Sequence, residues 1–66
     1  MTAVHHLPWV EIACWHLTEC SSDFNILNHQ LAWLNQQPGG QYYSTYVGKI
    51  WFERAEDCAL FVLSWS

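Results

Sequence analysis

The run from Lys49 to Trp65 changes its hydrophobic period at Ala55, and that change constrains the fold more than any other feature of the chain. Lys49-Ile50-Trp51-Phe52-Glu53 is short, aromatic and bounded by charge, the pattern of a pleated, half-buried strand. Beyond Ala55, Cys58, Phe61, Val62 and Trp65 recur at i, i+3, i+4 and i+7, the stripe of a helix laid on a core. Glu56 and Asp57 fall in its first turn, where the positive end of the helix dipole favours acids. Glu56, Leu60 and Ser64 line the opposite edge, which places Leu60 at the border of the buried face or outside it. A strand must therefore hand over directly to a helix that packs back on the same sheet.

Sixty-six residues make one domain, expected to span 1–66 with residues 1–8 extended or flexible. Only 12% of the chain is charged while 17% is aromatic. Large aromatics supply much buried area per residue, but so few charges cannot coat the surface. Dense packing combined with association is the expected remedy for the small size. Three cysteines are an odd number, so free thiols in a reducing, cytoplasmic setting are expected rather than a disulfide framework. No run reaches the length of a membrane span, and the N-terminus lacks the pattern of a signal peptide. Net charge is −4, with Lys49 and Arg54 the sole Lys/Arg residues. Phosphate neutralisation needs clustered cations, so direct nucleic-acid binding is disfavoured.

Upstream, Trp9 to Leu17 reads as a strand following Pro8, apolar on both faces. Thr18 to Asp23 then reads as a turn and cap, with Ser22 as candidate N-cap and Ser21 or Asp23 beside it. Phe24, Leu27, Leu31 and Leu34 follow at helical spacing, predicting a helix over 23–36. Asn28, His29 and Gln30 fall on its polar side. Gln37-Pro38-Gly39-Gly40 is the strongest stop signal, reading as a C-cap and turn rather than an anion cradle. Gln41 to Tyr46 is β-branched and aromatic. With Val47-Gly48 as a two-residue turn it forms a hairpin with Lys49–Glu53; the competing reading is one long strand from Tyr42 to Glu53 with a bulge at Gly48. The fold class is α+β: a small β-α-β-β-α domain of about three strands, with two helices packed on one face.

The segment Trp51–Trp65 resembles the C-terminus of short tailed-phage proteins, which end in an aromatic strand, an acidic pair and a helix similar to D-A-x-x-F-x-L-x-W. Asp57, Phe61, Leu63 and Trp65 match that pattern, and Cys58 stands where alanine is usual. The resemblance implies a phage-encoded protein acting on a host protein in the host cytoplasm. It carries no catalytic residues.

Cysteine and histidine raise the question of zinc. Cys14, His16, Cys20 and Cys58 lack the paired knuckles of structural sites, so Cys14 reads as a small buried hydrophobe and His16 as a partly exposed imidazole sharing its strand face. The pair lacks a third orienting group for nucleophilic catalysis. No cofactor and no enzymatic activity are expected. Tyr42, Tyr43, Tyr46 and Trp51 fill the core or form a protein-contact surface, since Tyr and Trp are favoured at interfaces. Leu60 and Leu63 extend the apolar character of the last helix beyond one face, which marks a second contact side. The expected function is thus a small non-enzymatic protein-binding module, a modulator or inhibitor of a host protein, with a homodimer at micromolar concentration. The alternatives are a self-associating structural component and, more remotely, a small zinc-binding domain.

Overall fold

The computed structural model describes residues 1–65. Seven elements follow in order: β1 (Thr2–Ala3), α1 (Trp9–Ile12), β2 (His16–Glu19), α2 (Phe24–Gln36), β3 (Gln41–Ser44), β4 (Lys49–Phe52) and α3 (Ala55–Trp65). The strands form one mixed sheet in the order β1-β3-β4-β2. The α+β class holds, with a fourth strand and a third short helix beyond those expected.

The strand-to-helix handover occurs where the period changes. Along β4, Ile50 and Phe52 point to one face and join Tyr42, Leu34 and Phe61 in the buried core. Phe52 sits between Tyr42 and Phe61, with ring centroids 6.4 and 5.4 Å away. The helices α2 and α3 cover this face. Trp51 points to the other face, in register with Leu17 on β2 and Tyr43 on β3. There α1 covers it: the Trp9 indole meets Trp51 edge-on, centroids 5.1 Å apart, and Ile12 is buried.

The first helix corrects the expected Trp9–Leu17 strand. Pro8 at the N-cap position has φ −57° and no N–H to leave unpaired. Its carbonyl accepts the N–H groups of Glu11 and Ile12, and Ala13 closes the turn on Trp9 at 2.8 Å. Trp9 and Ile12 at i, i+3 then share one helical face. A segment apolar on both sides does not discriminate the two periods, and here packing against Trp51 decides for the turn. The strand starts later, at His16, and runs through Thr18 and Glu19, which the sequence assigned to a turn.

Asp23, rather than Ser22, caps α2: its Oδ1 accepts the N–H groups of Asn25 at 2.9 Å and Ile26 at 3.2 Å. The helix stops at Gln37 as predicted, and β3 and β4 form the preferred hairpin. Its connection is Thr45–Gly48, longer than the expected two residues. Thr45 Oγ1 organises it, donating to the Lys49 carbonyl at 2.8 Å, and Gly48 takes φ 87°, where glycine is at ease.

Pro38-Gly39-Gly40 does more than end a helix. Asp57, in the first turn of α3 as expected, is buried. Its Oδ2 accepts the Gly40 N–H at 2.8 Å, and a Cβ on Gly39 would lie 2.7 Å from its Oδ1. The glycines thus leave room for a carboxylate supplied by the chain itself, and this contact fixes α3 to the start of β3.

Candidate functional site

The six residues singled out as contact candidates separate into four places. Tyr42 is 1% exposed, and its hydroxyl donates to Asn35 Oδ1 at 2.7 Å. It is a core residue and cannot meet a partner in this fold. Trp51 is 9% exposed, covered by Trp9 and flanked by the half-buried Tyr43 at 5.9 Å. Tyr46 is exposed at the hairpin tip, where its ring stacks on Phe24 with centroids 6.0 Å apart. Leu60 lies at the border of the buried face of α3, as its position on the wheel predicted, while Leu63 is fully outside it.

The feature that draws residues together is a groove of about 400 Å³ between α2, α3 and the end of β2. Val62 and Trp65 of α3 form one wall, Ile26 of α2 another, and Thr18 and Glu19 the strand side. Val62, Trp65 and Ile26 were read as parts of buried or flanking stripes, yet each remains more than a third exposed. The reason is geometric. Trp65 turns edge-on to Trp33 at 6.2 Å, which ties the end of α3 to α2 while leaving the apolar walls below open to solvent. Leu60 and Leu63 do not line this groove.

Gln30 lies at the base of the groove and is buried, against its expected place on the polar side of α2. Its Oε1 accepts the Ser21 N–H at 3.0 Å. A backbone donor at the end of β2 needs an acceptor once water is excluded, and Gln30 supplies it. No local sequence signal marks this, because the need arises on another element.

The groove runs beside a free strand edge. In an antiparallel strand, successive residues direct their backbone groups to opposite sides. The Cys20 N–H donates to the Gly48 carbonyl at 2.9 Å, and Thr18 is in register with Ile50. His16, Thr18 and Cys20 therefore face β4. Leu17 and Glu19 direct their N–H and C=O groups outward, where β2 has no neighbour in the sheet order among the described residues. The opposite edge, β1, is only two residues long.

Cys14 is exposed in the turn after α1, not buried on a strand face with His16. Burial raises the pKa of Cys20, partly offset by a hydrogen bond involving its own backbone, and burial also raises that of Cys58. All three thiols are free. Among the described residues, no group of three His, Cys, Asp or Glu side chains is placed to hold a metal ion. Among the described residues, no helix is long and apolar enough to cross a membrane. No family model, curated protein or solved structure matches the chain.

Proposed function

We propose that this domain is a non-enzymatic protein-binding module whose contact surface is the open groove between α2 and α3 together with the free edge of β2. The observation that carries this reading is the coincidence of apolar walls with outward backbone donors and acceptors at Leu17 and Glu19. Apolar walls favour burial by a partner without specifying its register. Outward N–H and C=O groups supply the directional part, as in recognition modes where a strand is added to a sheet edge. The C-terminal resemblance to tailed-phage proteins makes a host protein in the cytoplasm the expected target, with modulation or inhibition as the outcome. A second reading, self-association, is favoured by the same free edge.

The test compares three immobilised forms of the domain, each checked for folding by circular dichroism: wild type, Val62→Glu and Leu63→Glu. Val62 lines the groove, and a carboxylate there must lose hydration when a partner covers it. Leu63 is more exposed and lies outside the groove. A protein retained in stoichiometric amount by wild type and Leu63→Glu, but lost by Val62→Glu, supports the groove. Retention by Val62→Glu together with loss by Leu63→Glu moves the surface to the outer side of α3.

A further inference from the structure

We propose that the free edge of β2 pairs with β2 of a second copy of this chain, antiparallel, about a two-fold axis through Thr18. The inference rests on the reading of the β2 edge as a contact surface and names its occupant when no host protein is bound; a host strand and the second copy compete for the same backbone groups.

The register follows from which backbone groups are free. Only Leu17 and Glu19 of β2 direct donors and acceptors outward. An antiparallel ladder joins two such residues by a reciprocal pair of hydrogen bonds. Three two-fold registers are conceivable on this edge. Centring on Glu19 sets it against Glu19 of the partner subunit, a like-charge pair that destabilises. Centring on Leu17 sets Glu19 against the partner's Trp15, which lies outside the strand, so that the ladder is not completed. Centring on Thr18 pairs Leu17 with Glu19 of the partner subunit, and the two-fold repeats that pair. All outward groups of both strands are then satisfied.

Side chains fit the same register. Thr18 meets Thr18 of the partner subunit as a pair without backbone hydrogen bonds between them, in which side chains approach closely and threonines are favourable partners. Its side chain lies on the face covered by α3, beside Val62 and Trp65 in the groove. On the other face, Leu17 is half-exposed and gains cover from the partner strand. Glu19 already lies across from Lys49 in its own sheet, so its carboxylate has a cation nearby. No proline, lysine or bulge interrupts β2; of the devices that keep an edge from pairing it carries short length and the charge of Glu19, and the Thr18-centred register keeps that charge away from its own copy. Because Thr18 and Glu19 line the groove, the axis through Thr18 brings the two grooves together. The partner copy thereby contributes its own Thr18 and Glu19 to one continuous site.

The test exploits the direction of the backbone groups. Glu19→Pro removes an outward N–H and leaves the bonds to β4 intact, a placement that edge strands tolerate. Sedimentation equilibrium of wild type should show a monomer–dimer equilibrium, and Glu19→Pro should weaken it by about tenfold or more, given that each copy loses an edge hydrogen bond. In Thr18→Cys, mild oxidation should yield a covalent dimer whose peptide map joins the two position-18 thiols, since that pairing brings Cα atoms within disulfide range. A wild-type monomer at all soluble concentrations would overturn the inference. So would a dimer unchanged by Glu19→Pro and left unlinked at position 18. Neither result touches the broader reading if Val62→Glu still abolishes capture of a different protein. Loss of the dimer in Glu19→Pro, with no effect of Val62→Glu on any capture, would confine the contact surface to the strand edge.

Discussion

Replacing Phe61 by alanine is expected to leave the domain largely unfolded at 25 °C. Phe61 is 1% exposed and packs on Phe52 at 5.4 Å, and it is the α3 member of the buried core, with Cys58 packed against that core from the same helix. Truncating a buried phenylalanine costs about 3–5 kcal/mol, combining lost transfer energy with the cavity left behind. A domain of this length has roughly 0.05–0.15 kcal/mol of stability per residue, so the loss consumes much or all of it. Urea titration followed by circular dichroism should show the folded baseline shortened or absent. A midpoint close to that of wild type would mean that α3 is held by other contacts, and would shift attention to the Asp57–Gly40 bond.

Trp51→Ala is expected to destabilise by a similar amount, about 3–5 kcal/mol, and this separates two roles for the same residue. Trp51 is almost fully covered, with Trp9 edge-on at 5.1 Å and Tyr43 at 5.9 Å. Its loss removes the ring on which Trp9 of α1 packs. Denaturant unfolding of Trp51→Ala should show the large loss in midpoint. A change below about 0.5 kcal/mol, the ordinary range for surface substitutions, accompanied by weaker protein capture, would instead make Trp51 a contact residue on an exposed sheet face.

The parts of this fold that were legible in the sequence are those in which one element's own period decides its state. The strand ending at Phe52, the helix through Phe61 and the stop at Pro38-Gly39-Gly40 are of this kind. Trp9–Leu17 was not, because a segment apolar on both faces satisfies either period, and Pro8 with the Trp9/Ile12 spacing was the available signal for a helical turn. Gln30 was placed outside because amide side chains usually are, and the first-turn position of Asp57 did not tell that it is buried. Their burial depends on backbone donors at Gly40 and Ser21 that lie on other elements. The candidate contact residues show the same division. Leu60 was placed correctly by its position on the helix, whereas Tyr42 and Tyr43 could not be told apart until the register set one on each face. The groove was not legible at all, since it arises from the spacing of α2 and α3 over β2. That β2 would be an edge is likewise a property of strand order, which no local pattern encodes.

Amide hydrogen exchange across residues 16–20, followed by NMR over a range of protein concentrations, tests the contact surface most directly. Thr18 and Cys20 direct their N–H groups to β4 and should exchange slowly at every concentration. Leu17 and Glu19 direct theirs to the free edge and should exchange rapidly in dilute solution. Their protection should rise in parallel as concentration increases, or on addition of a protein captured through the groove. Leu17 and Glu19 amides that stay rapid at all concentrations and in the presence of such a protein would contradict the account, because the edge would then remain solvated while the domain binds.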